Sequence, residues 1–242
     1  DYAAAQVTLT EATNSLYRGG HDGGNYRISI TNSDDRQLME LLCLNTTNQG
    51  VQAAQEKWLT MQKPSNSPVL CFLHIPLLQY DTVWQKKIAK GIFKEDVCTY
   101  GEDGSAIAKL KNFGDVKACF CGHDHVNDYS GTWDGIEMVY GRATGHAGYG
   151  AKKLKKGGKI IFIRHAYAPG GGDPENFDIN NCDTQRNLSD EGRFDDFLRR
   201  AESDIKTDQK GSWPRRLIAT TKYLILLLVT LIAFYAVIVS LD

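Results

Sequence analysis

Apolar residues gather in short blocks separated by polar stretches over most of the chain, and in one long block at its end. Tyr26 to Ile30 alternates with the period of a strand, while Leu38 to Leu44 is an apolar run that fits strand or helix equally. Polar Asn45-Thr46-Thr47-Asn48 then places a loop. Val51 to Met61 reads as an amphipathic helix that stops before Pro64. Val69 to Leu73 is apolar throughout, the pattern of a strand covered on both faces, and it delivers His74 at its carboxyl end, ahead of a turn at Pro76. Gly104 to Lys111 predicts another helix. Val116 to Cys121 repeats the buried-strand pattern and runs straight into Gly122-His123-Asp124-His125. Two strand ends thus deliver histidines. Ile136 to Tyr140 and Lys159 to Ile163 predict further strands, with glycine-rich Gly141 to Gly150 between them as a loop able to approach a ligand closely. Strands alternating with helices imply a layered α/β fold, and no internal repeat is visible.

The end of the chain has a different texture. Residues after Asp195 become charged, with Phe194, Phe197 and Leu198 as a sparse apolar stripe, and 194–216 reads as a helical linker. Tyr223 to Leu241 is then almost continuously apolar, long enough at about 1.5 Å per residue to cross a hydrocarbon core of about 30 Å. Residues 217–241 are therefore predicted to form a transmembrane helix, with the lipid bilayer as partner; a buried core helix is the alternative reading. Arg215, Arg216 and Lys222 precede it and only Asp242 follows, a bias that puts the globular part on the cytoplasmic side of a single-pass membrane protein. The chain opens at Asp1 with no basic-then-apolar leader, so its start reads as a processed or artificial boundary.

Composition narrows the function. With 42% hydrophobic and 24% charged residues the chain is an ordinary globular sequence, and a formal charge of −1 gives no field to attract nucleic acid. An anionic substrate must then be held by a local device such as a metal ion. Six cysteines without a CxxC pair argue against a zinc knuckle or redox motif, and Cys71, Cys119 and Cys121 read as small core residues. The five lysines between Lys152 and Lys159 read as a solvated connecting loop. Asn45-Thr46-Thr47 and Asn187-Leu188-Ser189 fit the glycosylation pattern, which would conflict with a cytoplasmic domain.

Two histidines one residue apart, in a tight turn after a strand, can straddle a site and reach two ions. Paired ions about 3.5–4 Å apart activate water and clamp a phosphoryl group, so phosphoester hydrolysis is the natural reaction.

The order Phe72-Leu73-His74-Ile75-Pro76-Leu77, then Gly114-Asp115-Val116-Lys117-Ala118, then Gly122-His123-Asp124-His125-Val126-Asn127-Asp128-Tyr129, resembles calcineurin-like metallophosphoesterases, in the branch of the purple acid phosphatases. Tyr140-Gly141-Arg142, Gly148-Tyr149-Gly150, Gly24-Asn25-Tyr26, Leu44-Asn45-Thr46 and Glu95-Asp96-Val97-Cys98 extend the resemblance from Gly24 to Lys159. It implies a partial α-β-β-α sandwich over residues 1–160 and a phosphate-ester substrate. It also implies His74 and His123 on one metal and His125 on the other, with Asp124 and Asn127 shaping the loop. Iron, zinc or manganese would suit such ligands.

The family's aspartate motif, its Gly-Asp motif and its Gly-Asn-His motif are absent from Asp1 to His74; Gly20-His21-Asp22-Gly23 is only a superficial echo. A truncated or degenerate phosphoesterase follows, better suited to one ion than two, with a non-catalytic membrane-anchored module as the alternative. A separate stretch, Arg164-His165-Ala166-Tyr167-Ala168-Pro169 through Glu191-Gly192-Arg193, resembles the start of the histidine phosphatase superfamily. That resemblance, over 161–193, implies His165 as phosphorylated nucleophile and Arg164 as its phosphate partner.

Overall fold

The structure is a computed structural model that describes residues 25–31, 35–46, 50–143, 148–154, 156–165, 177–186, 222–229 and 234–241. The chain divides into two units, Asp1–Gly141 and Arg142–Asp242.

The first unit is built on β1 (Tyr26–Thr31), β2 (Gln37–Leu44), α1 (Ala53–Met61), β3 (Val69–Leu73), α2 (Leu78–Gln85) and β4 (Lys90–Ile92). It continues through α3 (Ala106–Phe113), β5 (Val116–Cys121), β6 (Asp128–Trp133) and β7 (Ile136–Tyr140). Its strands form one mixed sheet in the order β1-β2-β3-β5-β7-β6-β4. The four central strands β2, β3, β5 and β7 run parallel, and antiparallel strands close both edges. This is the α/β class expected, and the ambiguous run over Leu38–Leu44 resolves as strand because it is buried almost throughout. A helix would have shown water a polar stripe there.

β3 and β5 sit at the centre. All five residues of β3 are buried, as are all residues of β5 but Lys117, which explains their unbroken apolar sequences. Phe72 and Phe120 stack across the pair with centroids 4.8 Å apart. Three tyrosines fill the core beside them and spend their hydroxyls on backbone or side-chain acceptors. Tyr80 donates to the Cys119 carbonyl at 2.7 Å, Tyr129 to the Tyr80 carbonyl at 3.0 Å, and Tyr140 to Asp124. Burial raises the pKa of both Tyr129 and Tyr140, as it pushes the Cys43 thiol up to about 12.

Local chemistry ties the helices to this sheet. In α3, Ala106, Ile107, Leu110 and Phe113 form one buried stripe, which packs on β5 and α1. Gln55 of α1 accepts from the Gln52 N–H and donates to the Asn45 carbonyl, pinning the exit of β2. Patterning alone gave no sign of α2. It begins after Leu77 because the buried Glu102 carboxylate accepts from the Leu78 N–H at 2.6 Å, a favourable charge at a helix N-terminus.

The second unit carries a four-stranded sheet in the order β10-β11-β8-β9, with β8 Gly158–His165, β9 Phe177–Arg186, β10 Lys222–Val229 and β11 Phe234–Leu241. This corrects the reading of the C-terminal apolar run. Where a transmembrane helix was expected over Tyr223 to Leu241, the structure has two antiparallel strands, Lys222 pairing with Leu241 and Val229 with Phe234. No helix among the described residues is long and apolar enough to cross a membrane. The run is rich in β-branched Ile225, Val229, Val237, Ile238 and Val239, a composition that suits strands and that hydropathy alone does not register. The cytoplasmic placement inferred from Arg215, Arg216 and Lys222 rested on that helix. The charged linker over 194–216 and the echo Gly20-His21-Asp22-Gly23 lie outside the described residues.

Candidate metal centre

The two central strands end side by side. The Gly122 N–H donates to the His74 carbonyl at 3.1 Å, fastening the exit of β5 to the exit of β3. Just beyond this bond the side chains meet: His123 Nδ1 lies 3.2 Å from His74 Nε2, and the rings cross edge-on at 86°. His123 adopts a positive φ of 78°, a left-handed conformation that costs a non-glycine residue roughly 1–2 kcal/mol. The flanking contacts hold it there.

Two buried polar residues supply those contacts. Asp124 Oδ2 accepts from the Cys98 N–H at 3.0 Å and from the Tyr140 hydroxyl. Asn127, fully buried, accepts from the Lys94 and Glu95 N–H groups at 2.9 and 3.2 Å and donates to the Glu95 carbonyl at 2.9 Å. Glu95 returns the connection by accepting from the Val126 N–H at 2.8 Å. Residues 94–98 are thereby laced to 124–127, and both Asp124 and Asn127 hold loop geometry. Burial raises the Asp124 carboxyl above the usual range, while the hydrogen bonds from Tyr140 and Cys98 pull it back.

The histidines sit in an environment that keeps one of them neutral. Burial, then the charges of His123 and His125, lowers the pKa of His74 from 6.5 to about 4. A neutral imidazole is the form that binds metal. Its Nδ1 is buried with no hydrogen-bond partner among the described residues. His125 is half-buried and near enough for its charge to act on His74. The structure therefore gathers His74, His123 and His125 at one end of the sheet. Two facing imidazole nitrogens, one on a ring held neutral, fit one borderline cation such as iron, zinc or manganese.

Sequence reasoning missed two neighbours. Tyr100, half-exposed, places its hydroxyl 3.0 Å from His123 Nε2, and Cys98 brings its sulfur close to His123 and Asp124. Ligand atoms of Cys98, His123 and Asp124 lie within 4.8 Å of one another, the one such three-ligand group among the described residues. Only the presence of Cys98 in the matched stretch Glu95-Asp96-Val97-Cys98 hinted at this, since residues 93–105 carry no periodic signal. Arg164 and His165 are the last two residues of β8, paired with Asp178 and Phe177; their side chains lie outside the described residues.

Comparison with known proteins bears on this site. A 96-residue stretch, 40% of the chain, is 35% identical to probable inactive purple acid phosphatase 28 of Arabidopsis thaliana and covers 24% of that protein. That stretch is related to purple acid phosphatases. Probable inactive purple acid phosphatase 14 of the same plant is 33% identical over 114 residues, 44% of this chain and 28% of its own length. Probable inactive purple acid phosphatase 29 is 31% identical over 97 residues, 40% of this chain and 25% of its own length. The chain thus spans about a quarter of the length of these relatives. No protein-family profile matches it, and no solved structure does. The resemblance of 161–193 to histidine phosphatases finds no support among these relatives.

Proposed function

We propose that this chain carries the imidazole half of a metal-dependent phosphoesterase centre, with His74, His123 and His125 as ligands and a phosphate monoester as substrate. The observation that carries the reading is the approach of His74 Nε2 to His123 Nδ1 at 3.2 Å, at the ends of two adjacent parallel strands. Partial relationship to purple acid phosphatases supports it. A cation held there supplies a Lewis acid for the phosphoryl oxygen and lowers the pKa of a bound water. The chain's own part is to orient the donors. The Gly122 to His74 bond sets the distance between strand ends, the Asp124 contacts fix the turn that presents His123, and burial keeps His74 unprotonated. Arg164 and His165 enter no step of this scheme.

A second reading, a module that binds metal without hydrolysis, is favoured by the roles of the nearby carboxylates. Asp124 and Glu95 accept backbone N–H groups that hold the loop together. All three relatives, moreover, are named as inactive. The experiment is metal content and p-nitrophenyl phosphate hydrolysis of the full chain beside a His74→Ala, His123→Ala double variant. Bound iron, zinc or manganese with hydrolysis, both lost in the variant, is the expected result; metal without hydrolysis supports the second reading. Equal metal content in both proteins sinks the histidine assignment.

A further inference from the structure

His123 presents one ring nitrogen, Nδ1, to His74, and the other, Nε2, to the Tyr100 hydroxyl. Cys98, half-buried, and Asp124, buried, offer donor atoms that lie within 4.8 Å of each other and of a ring nitrogen of His123. The Tyr100 hydroxyl lies 3.0 Å from His123 Nε2, so it covers one of the donors of this group on its exposed side.

We propose that Cys98, His123 and Asp124 form a distinct site for one thiophilic divalent cation, zinc by preference, with Tyr100 as its removable cover. The donor chemistry chooses the ion. A thiolate, an imidazole and a carboxylate together suit zinc, and their two negative charges cancel the charge of a divalent ion inside a partly buried loop. On binding, the Cys98 thiol loses its proton to solvent, a sulfur–metal bond forms, and no oxidant or reductant is needed. Backbone bonds fix the loop that carries these donors. The Cys98 N–H is held by Asp124, and neighbouring residues 94 and 95 by Asn127, so the site asks for side-chain adjustment and little backbone motion. Tyr100 is about half exposed at 49% and can swing outward into water. The site shares His123 with the histidine centre proposed above but needs neither His74 nor His125.

Cobalt(II) alone, titrated into the full chain, is the probe, because a cobalt–thiolate bond produces an intense near-ultraviolet charge-transfer absorption that imidazole and carboxylate ligands lack. The expected result is that absorption in the unaltered chain, bleached by added zinc. His74→Ala and His125→Ala should retain it, and Cys98→Ser should lose it, with cobalt affinity lower by at least about tenfold. Cobalt binding without the absorption overturns the proposal, as does an absorption unchanged by Cys98→Ser. Because the unaltered chain is read directly, instability of the serine variant does not blur the result. Loss of cobalt in His74→Ala and His125→Ala, with no thiolate absorption, would uphold the histidine centre and sink this one.

Discussion

β3 and β5 are nearly interchangeable as strands, apolar, parallel, neighbouring and buried, yet they present their histidines by different means. At the end of β3, His74 follows the strand directly, tied by its backbone carbonyl to Gly122, and its ring is shielded from water and faces His123. At the end of β5, the chain makes a left-handed turn at His123 that depends on Asp124, Tyr140 and Cys98. One histidine is placed by the sheet; the other is placed by a hydrogen-bonded loop. The first arrangement should survive loss of its side chain, and the second should not survive loss of its anchor.

The largest effect should therefore come from Asp124→Ala, which leaves the Cys98 N–H and the buried Tyr140 hydroxyl without their acceptor. A loss on the order of 3 kcal/mol in urea unfolding is expected, together with loss of metal binding. A variant as stable as the unaltered chain would show that the loop is held by something else. His74→Ala should cost less, about 1 kcal/mol, because it gives up its side-chain contact to His123 and removes a buried Nδ1 that has no partner among the described residues, while metal affinity falls at least about tenfold. Comparable destabilisation by the two variants would erase the contrast.

Acid should separate the two ends next. The folded pKa of His74 is lowered from 6.5 to about 4, so the unfolded chain takes up a proton first as pH falls. Stability present above pH 6.5 is lost progressively toward pH 4, and His74→Gln should flatten that slope in unfolding midpoints measured across the range. Smallest of all is Tyr100→Phe. Removing a half-exposed hydroxyl should change stability by less than about 0.5 kcal/mol, yet nitrogen NMR should show the tautomer balance of His123 shifting once Nε2 loses its partner at 3.0 Å.

What the sequence made legible follows the same division. Val69–Leu73 with His74, and Val116–Cys121 with His123, could be read because a strand buried on both faces has an unbroken apolar pattern and ends where polar residues begin. Cys98 and Tyr100 could not, since they approach His123 only through the contacts of Glu95, Asn127 and Asp124, which join residues about thirty apart and leave no periodic trace. The C-terminal apolar run failed for another reason. Hydropathy measures how strongly a segment avoids water and not which hydrogen bonds it makes, so Lys222–Val229 and Phe234–Leu241 passed for one helix. Their β-branched residues were the available sign.

The bond from the Gly122 N–H to the His74 carbonyl joins two positions that lie far apart along the chain, 49 residues separating the histidines whose rings meet beside it. The gap between the two strand ends is accordingly a dimension of the sheet, as fixed as the spacing of its strands, and owes nothing to the length of the polypeptide that connects them. Insertions or deletions on the far side of the sheet can rewrite the connecting segment while the paired imidazoles stay in place. A lineage can thus change the far side of the sheet and, with the anchor at Asp124 kept, still inherit the pair itself.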